Sequence, residues 1–189
     1  KIYGTKLGRK LLCRKAGKKL KKTFGGRLKF FGIGGSKTDP VVEQFMVDAK
    51  FPYAIGYGLT ETSPLVAYSA VYKTTPGIIG GTIPGVEIKI GDKDPQTGIG
   101  ELLVKGPNVM QGYYNAPDLT KEAFTEDGWF KTGDLCAIDD KGRVSLKGRS
   151  KNMILGAAGE NIYPEDIEFV LNQHPLVSEA LVVEGENTS

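Results

Sequence analysis

Histidine is nearly absent from these 189 residues, and the one copy, His174, stands before Pro175 beyond the expected end of a helix, where it reads as a surface residue. That excludes histidine-dependent nucleophilic triads and histidine-rich metal centres. Cysteine is almost as scarce. Cys13 and Cys136 lie in no Cys-x-x-Cys spacing, so neither a zinc cluster nor a disulfide framework is written here, and a reducing compartment is expected. No stretch reaches the roughly 18–20 continuous apolar residues that a bilayer span needs, and the first residues lack a signal-like apolar core. The expectation is a cytoplasmic protein. Acidic side chains are missing from residues 1–29, which hold 12 of the 25 basic residues, a net of +12. The other 160 residues carry 13 basic and 22 acidic side chains, a net of −9, so the overall +3 describes neither part.

What is present, 40% apolar and 25% charged residues, suffices for one sizeable core or two small ones. Leu7, Leu11, Leu12, Ala16, Leu20 and Phe24 recur at near-helical spacing among lysines and arginines, predicting a basic amphipathic helix ended by Gly25-Gly26. Leu28–Ile33 reads as a buried strand, Asp39-Pro40 as the cap of a helix running to about Ala49, and Tyr53–Tyr57 as a second strand. Helix, strand, helix, strand points to an α/β layer. From about Thr74 to Gly148, Gly and Pro punctuate short alternating runs: Val86–Ile90, Glu101–Val104 and Arg143–Leu146. This texture predicts a β-rich, barrel-like or sandwich unit, interrupted by one helix near Asp118–Phe124. A polar turn at Gly159-Glu160-Asn161 precedes a helix from Pro164 to about Gln173, with acids in its first turn, and Ser178–Val183 reads as a last strand.

The richest stretch chemically is Gly56-Tyr57-Gly58-Leu59-Thr60-Glu61-Thr62. Two glycines allow close backbone approach, and an aromatic, two hydroxyls and a carboxylate suit a stacked purine, phosphate oxygens and a Mg²⁺ that prefers one carboxylate plus phosphates and water. On its own the same heptapeptide is equally a strand-ending turn. Trp129-Phe130-Lys131-Thr132-Gly133-Asp134 places an acid after a glycine turn, and Gly148-Arg149 supplies a guanidinium fifteen residues later. Two hairpin-related strands would join Asp134 and Arg149, either as a clamp for vicinal ribose hydroxyls or as an ion pair at a hairpin base.

Taken in order, these segments resemble the AMP-forming acyl-CoA synthetases of the adenylate-forming ligase superfamily from about Leu28 onward. Gly32-Ile33-Gly34-Gly35-Ser36 is similar to the family's adenine-site loop, and Tyr57-Gly58-Leu59-Thr60-Glu61-Thr62 to its Tyr-Gly-x-Thr-Glu core. Gly100-Glu101-Leu102 through Gly112-Tyr113-Tyr114-Asn115 and Thr120 resembles a third segment, and Trp129–Asp134 and Gly148-Arg149 its two ribose motifs. The resemblance implies that Gly35 and Ser36 line the adenine pocket, Tyr57 stacks on the base, Gly58 packs beside the acyl carboxylate or the acyl-adenylate carbonyl, Thr60 contacts phosphate and Glu61 holds Mg²⁺. It also implies that Asp134 and Arg149 bind the ribose, that Leu146 flanks the nucleoside, and that Lys151 is the hinge of a small mobile domain.

The expected fold class is therefore α/β, then a barrel-like β-rich subdomain, then the start of a small α+β domain, divided into 1–150 and 151–189. Ser36 replaces the family's usual alanine, Asn152 stands where Asp is common, and Leu155–Gly159 looks one residue longer than in many relatives. Nothing in residues 1–31 resembles the family's lysine-bearing phosphate loop, and its near-C-terminal catalytic lysine would lie beyond Ser189. The chain is thus expected to be an internal piece of a ligase using fatty acid, ATP, Mg²⁺ and CoA, inactive in isolation. A carrier protein as acyl acceptor is the alternative. For the basic helix, an ordinary outer helix and a peripheral contact with an anionic membrane both remain open, while the acidic body argues against nucleic acid.

Overall fold

The computed structural model describes residues 6–36, 38–156 and 160–185. Helix α1 (Lys6–Thr23) ends where Gly25 and Gly26 take φ of 79° and 74°, and the Gly26 N–H returns to the Lys21 carbonyl at 2.8 Å. β1 (Phe31–Ile33) begins later than the apolar run suggests, because only these three residues pair with β2 (Tyr53–Gly58), in parallel. Between them α2 (Pro40–Asp48) starts with Asp39 accepting the Val41 N–H through Oδ1 at 2.6 Å and Pro40 in the first turn. The chain then adds β3 (Leu65–Ser69) and β4 (Gly81–Thr82) antiparallel, giving a four-stranded mixed sheet in the order β1-β2-β3-β4.

A second sheet is an antiparallel meander of β5 (Glu87–Gly91), β6 (Gly100–Lys105), β7 (Phe130–Ile138) and β8 (Val144–Arg149), with α3 (Pro117–Ala123) between β6 and β7. It is not the barrel expected from the sequence. β5 and β8 are its edges and do not pair with each other, so the sheet stays open. The β8 edge is met instead by residues next to the first sheet: Ile79 N–H reaches the Val144 carbonyl and Val144 N–H the Gly80 carbonyl, both at 2.8 Å. The chain is therefore a mixed α/β structure with several sheets. β9 (Ile154–Leu155) and β10 (Asn161–Ile162) form a two-stranded pair before α4 (Pro164–Leu171). Residues 178–183 form no strand: they lack a ladder partner among the described residues, and Val182 N–H is taken up by the Glu168 side chain at 2.9 Å. Ala157, Ala158 and Gly159, which carry most of the longer glycine turn, lie outside the described residues.

Two apolar clusters result. Tyr57, Val66, Ala67, Val86, Leu102, Val104, Cys136 and Val144 fill the space between the sheets. Met46, Phe51, Tyr53 and Ile55 pack under α2, joined by Leu20 of α1, with Phe31 edge-on to Phe51 at 5.5 Å. Apart from Leu20, helix α1 does not bury its leucines. Leu7, Leu11 and Leu12 are 72%, 53% and 38% exposed, because α1 approaches α2 through Gly17, where an added Cβ would lie 2.6 Å from the Ala49 carbonyl oxygen. Arg9 reinforces that contact on Asp48 at 3.0 Å.

Candidate functional site

The C-terminal ends of β1 and β2, the middle of β7 and the strand β8 carry most of the residues singled out above. β7 and β8 pair so that Asp134 stands directly opposite Arg149. Arg149 Nη1 donates to Asp134 Oδ1 at 2.7 Å, and the Tyr57 hydroxyl, arriving from β2 in the other sheet, donates to Oδ2 at 2.6 Å. Asp134 is thus 8% exposed yet held on both oxygens, which meets the demand that a buried carboxylate be paired. Its backbone is fixed as well. Gly133 takes φ 70° and donates to Glu101 Oε1 at 2.8 Å, while Thr132 Oγ1 accepts the Asp134 N–H at 3.1 Å and donates to the Leu102 carbonyl at 2.8 Å.

The electrostatics follow from this packing. Burial, and then the neighbouring Asp134 carboxylate, hold the Tyr57 phenol far above the usual range, so it is a permanent donor. The bond to Asp134 raises the Arg149 guanidinium, with smaller contributions from Tyr57 and Glu61. Each Asp134 oxygen keeps lone-pair capacity for a further donor. The arrangement can therefore accept two adjacent hydroxyls without losing its internal partners.

Glu61 sits on the short turn Thr60–Thr62 that follows β2. Thr62 is fully buried; its Oγ1 accepts the Leu59 N–H at 3.0 Å and donates to the Pro64 carbonyl at 2.7 Å. Gly58 is required just before the turn, since a Cβ there would collide with the Pro64 carbonyl. Thr60 is exposed and Glu61 half-buried. Among the described residues no three His, Cys, Asp or Glu side chains gather as a metal site. A lone Glu61 fits a cation whose other ligands are phosphate oxygens and water, and does not fit a cation held by protein alone.

Gly35, with φ 84°, and Ser36 follow β1 and are exposed. Ser36 and Leu146 meet across a small cavity of about 60 Å³ that also touches Pro40, Glu43 and Ile55. That brings the loop after β1 to the β8 residue named with it. Glu43 there is 3% exposed, and burial raises its carboxyl above the ordinary value. A larger cavity of about 530 Å³, bordered by Met46, Phe51, Tyr53 and Tyr72, touches none of the residues predicted from sequence. Lys151 stands exposed on the turn Ser150–Asn152 that leaves β8.

Some contacts carry no sequence signal. The Tyr57–Asp134 bond spans two sheets and 77 positions, and the Tyr57 ring lies in the inter-sheet core, 8% exposed, instead of forming an open platform. Tyr113, whose hydroxyl donates to Glu61 Oε1 at 3.0 Å, belongs to a segment noted above only for its resemblance.

Comparison with known proteins assigns this geometry to a family. The model of the AMP-binding enzyme family matches residues 6–114. A long-chain-fatty-acid–CoA ligase, FadD15, of Mycobacterium bovis is 40% identical over 166 residues, covering 88% of this chain and 26% of that protein. The o-succinylbenzoate CoA synthetase of Bacillus subtilis, solved with its acyl-adenylate intermediate, superposes with a TM-score of 0.78 at 32% identity, over 85% of this chain and 34% of that one. The same synthetase solved with ATP and magnesium ion gives 0.76 at 30% identity, over 90% and 38%. The chain belongs to the AMP-binding enzyme family. It spans about a quarter of the length of the curated relative it matches.

Proposed function

We propose that residues 31–151 form the nucleotide-binding part of an acyl-CoA synthetase that activates a long-chain fatty acid as acyl-AMP and passes the acyl group to CoA. The observation that carries this reading is the Tyr57–Asp134–Arg149 constellation, with Glu61 on the turn that follows the strand of Tyr57. Asp134 accepts both ribose hydroxyls through its remaining lone pairs while Arg149 adds a donor and Tyr57 keeps the carboxylate aimed. Gly35 and Ser36 border the base on one side and Leu146 on the other. Thr60 donates to phosphate, and Gly58 lets the acyl carboxylate approach the turn.

Bound at Glu61, Mg²⁺ would neutralise phosphate charge so that a carboxylate can reach the α-phosphorus. The protein's own share is positioning: ribose, phosphate and carboxylate are held so that the acid oxygen attacks in line and pyrophosphate departs. The CoA thiol then displaces AMP. Lys151, two residues past the clamp arginine, is the hinge between a 1–150 unit and a 151–189 unit that turns between the two half-reactions. FadD15, named for long-chain fatty acids and CoA, supports this substrate and acceptor over a carrier protein.

The 189 residues contain the clamp and Glu61 but nothing resembling the family's lysine-bearing phosphate loop. Alone they should bind nucleotide weakly and release no pyrophosphate. Calorimetry with AMP and ATP, alongside a pyrophosphate assay over a panel of fatty acids, tests both statements. Absence of binding would remove the nucleotide site; turnover would show that the loop is dispensable.

A second reading concerns α1. Leu7, Leu11 and Leu12 face outward beside exposed Lys10, Arg14, Lys15, Lys18, Lys19 and Lys22. A helix with that face suits peripheral attachment to an anionic bilayer. No helix of the described residues is long and apolar enough to cross one.

A further inference from the structure

We propose that Tyr113 is a positioning residue that sets the orientation of the Glu61 carboxylate toward its divalent cation. This rests on the reading of Glu61 as the magnesium carboxylate. The observation is a strap: residues 108–113 cross the Thr60–Thr62 turn and hold it at three levels. Asn108 Nδ2 donates to the Thr62 and Leu65 carbonyls, each at 2.8 Å, and Met110 N–H donates to the Glu61 carbonyl at 2.7 Å, which fixes the backbone of the turn. Tyr113 then fixes the side chain, its hydroxyl donating to Glu61 Oε1 at 3.0 Å.

Tyr113 is itself anchored. Its N–H donates to Thr120 Oγ1 at 2.9 Å, and that hydroxyl donates to the Ala116 carbonyl at 2.9 Å. Gly112, at φ 155°, lets the chain lie on Thr120, where an added Cβ would be 2.6 Å from the threonine methyl. A phenol is a donor at neutral pH. A phenol donating to Oε1 leaves Oε2 to face the cation and removes the rotamer freedom of a glutamate on a three-residue turn. This is how a partner behind a metal ligand tunes affinity without touching the metal.

The test is calorimetric binding of ATP to the 189-residue chain as a function of Mg²⁺, with AMP binding in EDTA as the metal-free control. Tyr113→Phe should raise the Mg²⁺ concentration for half-maximal ATP binding about tenfold and leave AMP binding unchanged. Glu61→Gln should raise it at least as much, and adding Tyr113→Phe to that variant should do nothing more. If Glu61→Gln shifts the Mg²⁺ dependence and Tyr113→Phe does not, the positioning role is overturned while the metal reading stands. If Glu61→Gln leaves it unmoved, the metal reading fails and the role of Tyr113 with it. An equal loss of AMP binding in Tyr113→Phe, checked against its thermal unfolding, would mean that the tyrosine only supports the fold.

Discussion

Three ionisable groups share the space behind the clamp, and each explains the state of the next. Asp134 is held on one oxygen by Arg149 and on the other by Tyr57; burial, and then that carboxylate, raise the Tyr57 phenol and the Cys136 thiol. Cys136 is fully buried and its thiol is pushed up to about 12. It is therefore an inert packing residue. A group whose folded value lies above its unfolded one contributes stability below the unfolded value and loses it as pH rises toward the folded one. For Cys136 that window runs from 9.0 to about 12, and the Tyr57 phenol acts in the same direction from 10.0 upward. Urea unfolding at pH 8 and pH 10 should show a loss of about 1 kcal/mol from Cys136 alone. In Cys136→Ala that part of the pH dependence should vanish, whatever the cavity costs at both pH values. An unchanged slope would mean that the thiol titrates freely in the folded state.

At the level of elements, sequence patterns find what is local and miss what depends on partners. The Asp39-Pro40 start of α2, the Gly25-Gly26 end of α1 and the alternating runs of β5 to β8 are legible because each is set within a few residues. Sheet closure is not, because alternation says which face of β8 is apolar and not whether its edge meets β5 or Gly80. Asp134 and Arg149 could be joined from the fifteen-residue hairpin spacing, whereas Tyr113 and Glu61, 52 positions apart, could not. The orientation of α1 is left open by the sequence for a related reason. Its leucines mark an apolar stripe, but the residue that decides the packed face is Gly17, silent in any hydrophobic pattern. The outward leucines make a direct prediction: the chain should sediment with vesicles rich in anionic lipid, should not with neutral ones, and should lose binding as salt rises. Equal recovery with both lipids would leave α1 as an ordinary outer helix.

Over the whole chain, charge and chemistry are segregated. Eleven of the 12 basic residues of positions 1–29 lie in α1 or between it and β1, while the clamp and Glu61 lie in a body of net −9. A nucleotide therefore meets no broad positive field there and must be recognised by a few well-placed groups, Asp134 and Arg149 foremost. Calorimetry with AMP and with 2′,3′-dideoxy-AMP tests that most directly. The wild-type chain should prefer AMP by about tenfold or more, as expected for two hydrogen bonds to a charged carboxylate, and Asp134→Ala should bind both equally and weakly. Equal affinity for the two nucleotides in the wild type, or a preference that survives Asp134→Ala, would contradict the ribose clamp and with it the assignment of this site.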